Sequence, residues 1–405
     1  MVEQADPARD RGVWAEAIAT DAARFRAYVV APLKGIGPGL IVLHGRDGLD
    51  PSILALCHRF ADEGYAVLAP DLTRHWRGDR LEPNDLAQAL GDVLAARTVL
   101  APLLEASART GAVGVGDGNI IAWRLAANRA IDALVAYAPP RAETFADADA
   151  IACAAALHIA GTSSWHSTAV DAASRSRLGT APPLRLHEYP DCKARFFDPL
   201  HPDFDRHAAA VAHSRTLAVL RPALGPHYDL AQLFDYHLRQ EFVEHDADET
   251  MATMVEAPYV NHVPTLTGGV GHDMLKRFYK YHFIPKLPES RRSILLSETV
   301  GPDTVVRETI TAFRHTEEID YLLPGIEPTG KEIEVATVVI AKFRGGKLYH
   351  EHIYWDQASV LVQLGLIDPD GLPVAGAAAA RKMLDQTLPA NELMARWKES
   401  EGKPL

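Results

Sequence analysis

The sequence has only three cysteines, Cys57, Cys153 and Cys192, and they form no Cys-x-x-Cys pair. An odd number of isolated cysteines argues against a disulfide framework and is typical of a reducing compartment. The chain also shows no apolar run of the roughly 18 residues that a membrane-spanning helix needs. Its polar start has no apolar signal-peptide core. We therefore expect a cytoplasmic protein without a membrane partner.

Positive charge is also scarce, because 41 Lys and Arg residues face 53 Asp and Glu residues and leave a net charge of −12. Proteins that bind nucleic acid or anionic membranes usually present a basic face, so we expect neither partner. The hydrophobic fraction of 47% is ordinary for a globular protein. A chain of 405 residues is long enough for two domains, or three small ones, each with its own core.

The pattern of predicted strands and helices changes near Leu224-Gly225-Pro226-His227, a cluster of residues that interrupt regular structure. Before it, strand-like apolar runs alternate with helical stretches, which predicts an α/β domain with a mostly parallel sheet over residues 1–224. After it come helices at 229–245, 247–255 and 271–283, then β-rich runs at 292–300, 303–316, 331–343 and 347–355. This order predicts an α+β domain with an antiparallel sheet over residues 228–367, followed by a tail over residues 368–405.

Three segments of the first half resemble the dienelactone hydrolases: GLIVLHGRDGLDPSILALCHRFADEGYAVLAPDL, GVGDGNIIAWRLAA and HEYPDCKARFFDP. The resemblance implies an α/β-hydrolase fold with a nucleophile, a histidine and an acid. The glycines that shape the sharp nucleophile turn are present as Gly114 and Gly118. However, the three triad positions hold Gly116, Ser163 or Ser164, and Ala194, and a carboxylate position of the family holds Gly45.

These losses predict that the first domain no longer hydrolyses esters, because acyl transfer needs a nucleophile and a base. Asp117 could be an alternative nucleophile, but its flanking residues fit the sharp turn poorly. His44, Cys192 and His201 are each better explained as packing or loop residues. The expected role of this domain is a scaffold, a dimer surface or a substrate gate.

The second half resembles the SnoaL-like polyketide cyclases of the nuclear transport factor 2-like fold. The resemblance rests on the three leading helices, YVNHVPTLTGGVG, FRHT, PGIEPTGK and GKLYHEHIYWDQASVLVQLGL. It implies a cone-shaped domain with a bent sheet over helices and one deep pocket. Such pockets carry out cyclisation, isomerisation or epoxide hydrolysis, or only bind a ligand, so the fold does not select the reaction.

The chemistry of such a pocket needs a base in an apolar cavity and a donor for the developing oxyanion. In the β-rich run at 303–316, strand alternation places Arg307, Thr309, Phe313 and His315 on one face and Glu308 on the other. In the last run, it places His352 and Asp356 on one face and Glu351 and Trp355 on the other. The sequence leaves open which face looks inward. The catalytic candidates are His315, Glu308, His262 and Asp356, and the substrate-binding candidates are Tyr259, Asn261, His352 and Trp355.

Other roles for these residues remain open. Asp356 fits a helix N-cap, and Glu308 fits a surface pair with Arg314. His350 and His352 with Asp356 loosely resemble a two-histidine, one-carboxylate metal site, but three residues of one strand rarely converge on one ion. The glycines of Gly268–Gly271 could open a helix that binds an anion, although a loop role fits better.

We therefore expect a cofactor-independent acid–base enzyme that takes a small apolar carbonyl or epoxide substrate into the second domain. Neither a metal nor another cofactor is predicted, and a homodimer is the expected assembly. Two alternatives stay open: a ligand-binding protein without catalysis, and a residual dienelactone or ester hydrolase in the first domain.

Overall fold

The computed structural model describes residues 11–78, 81–137, 150–161 and 184–404. Two compact units divide the chain between His227 and Tyr228, and residues 368–404 belong to the second unit.

The first unit is built on an eight-stranded sheet with the order β1-β2-β4-β3-β5-β6-β7-β8. Its first two strands pair antiparallel, β2 pairs antiparallel with β4, and the remaining pairs are parallel. The central strands are nearly continuous apolar runs because helices cover both faces of a parallel sheet. The strands are β1 Gly12–Ile18, β2 Arg24–Val30, β3 Gly39–Leu43, β4 Ala66–Pro70, β5 Thr110–Val115, β6 Ala133–Tyr137, β7 Ala154–Ala160 and β8 Leu184–Tyr189.

Among the described residues, four α-helices cover the two faces of this sheet: α1 Pro51–Asp62, α2 Pro83–Ala96, α3 Asn119–Ala127 and α4 Arg206–Leu224. Alternate residues of β3 show the division. Val42 packs with α1 and α4, whereas Ile41 packs with α2 and α3. Asp50 and Asp205 cap α1 and α4 through their side chains, so two of the four helix starts are encoded locally.

One helical stretch among the described residues, Pro83–Leu103, is long and apolar enough to cross a membrane by length and composition alone. It joins α2 to a 3₁₀ extension, has a mean hydropathy of 1.2, and 28% of its apolar window is buried. Ala89 and Val93 of this stretch pack in the core of the sheet, as expected for a helix of an α/β domain.

The second unit is built on a six-stranded sheet with the order β10-β9-β14-β13-β12-β11. The pair β14 and β9 is parallel, and the other neighbours are antiparallel. Gly345 and Gly346 join β13 to β14 with φ angles of 56° and 80°, and a tight hairpin turn requires such positive angles. The strands are β9 Met254–His262, β10 Thr267–Val270, β11 Arg292–Val300, β12 Thr304–Arg314, β13 Glu332–Arg344 and β14 Lys347–Trp355.

Helices α5 Leu230–Arg239, α6 Ala247–Ala252, α7 His272–Phe278 and α8 Gln357–Gln363 contribute to the apolar core on one face of this sheet. The helix α9 Ala378–Leu384 follows in the tail. Two of these helices continue into π-helical turns, α5 into Gln240–Glu244 and α7 into Tyr279–Phe283. The tail contacts its own unit, because Arg381 of α9 forms an ion pair with Glu334 of β13.

Two sequence predictions were wrong in this unit. The helix predicted over 247–255 ends at Ala252, and Met254 begins β9. Gly268 and Gly269 lie in the four-residue strand β10 and not in the favoured loop, whereas Gly271 is the N-cap of α7. Short strands with glycine or proline carry a weak β signal, and their pairing with longer neighbours decides the structure.

Candidate functional site

The sharp turn of the hydrolase fold is intact in the first unit. β5 runs into a 3₁₀ turn at Gly116–Gly118 and then into α3. A Cβ at Gly114 would lie 2.8 Å from the Cα of Asn119, and a Cβ at Gly118 would lie 2.2 Å from the carbonyl oxygen of Leu43. Gly116 differs from both, because its φ is +54° and a Cβ there would meet nothing within 4 Å. The nucleophile position therefore faces open space and carries no side chain.

This space is a cleft of about 170 Å³ whose lining includes Gly116, Asp117, Ala194 and His44. Among the described residues, His44 is the only histidine that lines the cleft. Its Nδ1–H donates to the carbonyl of Gly45 at 2.6 Å, and its Nε2 accepts the N–H of Leu72 at 3.0 Å. Burial also lowers the pKa of His44, so the ring is a neutral structural residue with both nitrogens engaged.

The alternative catalytic groups of the first unit do not form a nucleophile–base pair. Asp117 Oδ2 lies 3.9 Å from Arg46 Nε, and burial raises the pKa of the Cys192 thiol. His201 Nδ1 accepts the N–H of Asp203 at 3.1 Å and so has a loop role. The predicted acid position, Ser163 or Ser164, lies outside the described residues.

In the second unit, the strand register shows which sheet face looks toward the helices. Val339 pairs with Ile353 and Ala341 pairs with Glu351, and Ala341, Val339 and Ile353 all pack in the apolar core with α5 and α7. Glu351, Ile353 and Trp355 of β14 therefore face the helices. The opposite face carries His350, His352 and Tyr354 of the same strand.

Four ionisable side chains meet on the helix-facing side, and we call them the buried cluster: His237, Glu241, Tyr279 and Glu351. His237 Nε2 lies 3.1 Å from Glu241 Oε1 and 3.7 Å from Glu351 Oε2. The Tyr279 hydroxyl donates to Glu351 Oε2 at 3.5 Å. The exposed fractions are 0% for His237, 3% for Glu241, 1% for Tyr279 and 4% for Glu351, so water is excluded from all four side chains.

Local backbone structure brings these groups together. His237 and Glu241 are four residues apart, which places them on one helix face. Glu241 lies in the π-helical turn that continues α5, and Tyr279 opens the π-helical turn that continues α7. Single π-helical turns inside α-helices occur frequently at functional sites. Glu351 enters from β14, so the cluster joins two helices to the sheet.

The pKa values of the buried cluster are shifted because its groups are buried from water and close to one another. Burial alone would lower the pKa of His237, but Glu241 and Glu351 raise it to about 10. Burial raises the pKa of Glu241, against the opposing influence of His237. Burial and the two carboxylates raise the pKa of Tyr279, so this phenol stays protonated and can donate a hydrogen bond.

Of the eight residues predicted from the sequence, His262 and Trp355 are in ring contact with each other on this side of the sheet. His262 is 5% exposed and is surrounded by the rings of Phe278, Phe283, Tyr321 and Trp355. Its Nδ1–H donates to the carbonyl of Thr267 at 3.3 Å. Burial lowers the pKa of His262 to about 4, partly offset by the charge of Glu351, so the ring is neutral at pH 7.

The other predicted residues lie elsewhere in the unit. Tyr259 and His352 are in ring contact on the opposite face, where Asn261 pairs with His352 in the strand register. Glu308 accepts a hydrogen bond from Ser297 on that face, while Arg314 pairs with Glu332 instead of Glu308. His315 is buried at the end of β12, and its Nδ1 accepts the N–H of Thr329. Asp356 is the N-cap of α8 and accepts the N–H of Ser359.

The structure places a cavity of about 220 Å³ beside His262. Thr267 and Phe278 line it, and both contact His262. Phe278 is also in ring contact with Tyr279 of the buried cluster. Leu266, Gly268, His282 and Asp320 complete the lining. Phe278 therefore lies both in the cavity lining and against the buried cluster.

Sequence reasoning missed His237, Glu241, Tyr279 and Glu351. One signal for Glu351 was available, since it alternates with Ile353 and Trp355 on an otherwise apolar strand face. His237 and Glu241 show a four-residue spacing that is common on solvated helix faces, so the pattern alone does not single them out.

Comparisons with known sequences cover both units. A sequence model of the dienelactone hydrolase family matches residues 25–224, and one of the SnoaL-like polyketide cyclases matches residues 236–364. Carboxymethylenebutenolidase from a Pseudomonas species is 27% identical over 218 residues, or 49% of this chain and 90% of that protein. Protein usf from Aquifex pyrophilus is 36% identical over 73 residues, or 17% of this chain and 30% of that protein.

Solved structures similar to this chain include a dienelactone hydrolase-like promiscuous phosphotriesterase from metagenomic libraries. Its TM-score is 0.43 at 19% identity, and the match covers 53% of this chain and 100% of that chain. The dienelactone hydrolase from Anabaena variabilis has a TM-score of 0.39 at 18% identity, with coverages of 53% and 100%. On the sequence matches, the chain is a fusion of a dienelactone hydrolase family domain at residues 25–224 and a SnoaL-like polyketide cyclase domain at residues 236–364.

Proposed function

We propose that this protein is an acid–base enzyme of the cyclase, isomerase, lyase or epoxide-hydrolase type. Its substrate is a small apolar carbonyl compound or epoxide, and its reaction takes place inside the SnoaL-like domain. The observation that carries the proposal is the buried cluster of His237, Glu241, Tyr279 and Glu351.

Stability does not explain this cluster. Removing two carboxylates and a histidine from water carries a desolvation penalty of several kcal/mol per ion, and apolar residues of similar volume usually serve stability as well or better. Ionisable groups that are buried together and have displaced pKa values occur preferentially at functional sites. The apolar rings around His262 supply the dry surroundings that such a site needs.

The cluster contains the parts that acid–base chemistry requires. A carboxylate shielded from water, or a water molecule held by the carboxylates, can take a proton from a carbon next to a carbonyl or open an epoxide. The Tyr279 phenol can donate a hydrogen bond to the oxyanion that develops. The cavity beside His262 has room for a small substrate, and Phe278 of its lining is in ring contact with Tyr279 of the cluster.

The hydrolase-like domain has a supporting role in this proposal. Its turn presents Gly116 to the cleft, and Ala194 lines the same cleft where the family places a histidine. Without nucleophile and base the acyl-transfer route is closed. We propose further that the protein acts in the cytoplasm as a homodimer.

The proposal can be tested with three probes, cyclopentanone and acetophenone in D₂O and styrene oxide in water. Deuterium uptake next to the carbonyl is followed by proton NMR, and ring opening by chromatography. We expect enzyme-dependent turnover of at least one probe and a loss of at least tenfold in Glu351→Gln. Glu256→Gln, an exposed carboxylate of β9, is the matched control and should keep full turnover.

Two outcomes contradict the proposal. Turnover that survives Glu351→Gln but is lost in Asp117→Asn would place the activity in the hydrolase-like domain. Saturable binding of the probes without any turnover would support the ligand-binding alternative instead. Circular dichroism of each variant separates loss of activity from loss of fold.

A further inference from the structure

We propose that His237, Glu241 and Glu351 form a binding site for one divalent transition-metal cation, with Zn²⁺ as the best match. The role of this ion in catalysis rests on the proposed function, but its binding can be measured without any substrate. The sequence predicted no metal in this domain, because the three residues come from a helix, a π-helical turn and a distant strand.

The distances between the donor atoms fit a common ion. His237 Nε2 lies 3.1 Å from Glu241 Oε1 and 3.7 Å from Glu351 Oε2, and all three donor atoms lie within 4.8 Å of one another. Zinc binds histidine nitrogen and carboxylate oxygen at about 2.0–2.2 Å, so two of its ligands are separated by roughly 3.0–3.6 Å. The donors therefore approach the spacing of a coordination shell without a change of backbone.

The histidine ring is oriented as a ligand. The Thr253 hydroxyl donates its one proton to the carbonyl of Thr250 at 2.6 Å, so it can only accept from His237 Nδ1, also at 2.6 Å. This contact fixes one proton on Nδ1 and turns Nε2 toward the two carboxylates. A bound ion would displace the second proton, which the carboxylates otherwise hold on Nε2. Among the described residues, Nε2 has no partner with hydrogen-bond geometry although it is fully buried. Metal-binding histidines almost always have their second nitrogen held in this way.

Charge balance also points to a cation. Glu241 and Glu351 carry two negative charges when ionised, and the nearby arginines are engaged elsewhere. Arg307 pairs with Asp235 and Glu298, each at 2.6 Å. The Arg291 guanidinium lies over the Phe242 ring at 3.8 Å from its centre. A divalent ion at His237 Nε2 would balance the negative charge of the two carboxylates.

The donor set indicates which ion is bound. Imidazole suits zinc, iron and copper, whereas sites made only of oxygen suit magnesium and calcium. Zinc accepts both imidazole nitrogen and carboxylate oxygen as ligands, and three protein ligands leave a position open for water. A water molecule in that position would lie near the Tyr279 hydroxyl, which donates to Glu351. The ion would thereby supply the activated water that the proposed reaction needs.

The test uses the full chain without an affinity tag, freed of metal by EDTA and dialysed. Titration with ZnCl₂ in a calorimeter should give one ion per chain, and the melting temperature should rise on binding. Glu351→Gln and His237→Asn should each weaken binding at least tenfold. Glu256→Gln and His272→Asn, both exposed in the same unit, are the matched controls and should bind as the parent does.

A second measurement does not depend on the folding of the variants. X-ray absorption of the zinc-loaded parent should show a shell of nitrogen and oxygen with one imidazole and no sulfur. Fewer than about 0.2 ions per chain, a shell with sulfur or several imidazoles, or equal affinity in a folded Glu351→Gln variant would overturn the metal site. Full turnover by the EDTA-treated enzyme would overturn its catalytic role and leave the proposed function standing. Zinc binding without turnover would overturn only the proposed function.

Discussion

The turn at Gly116–Gly118 allows a sharp prediction, because its glycines differ in what surrounds them. A Cβ at Gly118 would lie 2.2 Å from the carbonyl oxygen of Leu43 and 2.7 Å from that of His44. Backbone atoms cannot rotate aside, so Gly118→Ala must displace the end of β3. We expect a loss of about 3 kcal/mol or more, at or above the upper end for overpacked sites.

Gly116→Ala should behave differently. A Cβ there would meet nothing within 4 Å, so the only penalty is the left-handed backbone at φ +54°. That penalty is about 1–2 kcal/mol for a residue with a Cβ. The cleft should therefore accept the methyl group, and the structure of the turn should stay unchanged.

Differential scanning calorimetry of the full chain measures both effects. In a domain of this size, 1 kcal/mol corresponds to roughly 2–4 °C in the melting temperature of its transition. Gly116→Ala should lower that temperature by a few degrees and Gly118→Ala by about 6 °C or more. An equal loss in the two variants would refute the reasoning, since it would mean that Gly116 does not face open space.

Three further predictions follow from the site residues. Gly116→Ser should gain no turnover of p-nitrophenyl acetate, because Ala194 supplies no base; measurable, saturable hydrolysis would show that another residue acts as base. His262→Phe should weaken the pH dependence of stability. The pKa of His262 is about 4 in the folded protein against an ordinary 6.5, so the parent loses roughly 3 kcal/mol of stability as the pH falls from 6.5 to 4. Urea titrations of the variant should lack most of that loss. Asp356→Ala should cost about 1 kcal/mol in the same urea assay through the lost cap of α8, while Asp356→Asn should keep most of the stability.

The architecture could be predicted because the two halves of the sequence have different patterns of strand-like and helical segments. Continuous apolar runs such as Gly39–Leu43 and Ala133–Tyr137 predicted buried parallel strands, and the structure contains both. The Gly345–Gly346 pair predicted the hairpin between β13 and β14. The strands that were missed, β1, β8, β9 and β10, have polar residues or glycines within them. Their pairing is set by the neighbouring strands rather than by their own composition.

Candidate residues were harder to predict than strands. Alternation sorted β14 correctly into two faces, with His352 apart from Glu351 and Trp355, but alternation cannot say which face the helices cover. The choice of Glu308 and His352 depended on that missing fact, and the structure places both on the face away from the helices. Their roles remain predictions that the Glu351 experiments bear on, since activity independent of Glu351 would return attention to them.

The position of the buried cluster explains why one sequence pattern could not reveal it. His237 and Glu241 lie on a helix whose other face is solvated. Glu351 lies more than a hundred residues later, between two histidines of the opposite sheet face. Each residue taken alone is an ordinary polar residue. Only the packing of α5 and α7 against β14 excludes water from all of them at once. Where water is excluded, the electrostatic interactions of a carboxylate or an ion are stronger. The turn of the first domain has Gly116 at the nucleophile position, whereas the second domain buries His237, Glu241 and Glu351 together. We therefore expect the function to depend on the buried ionisable groups of the second domain. The metal titration of Glu351→Gln tests this expectation most directly.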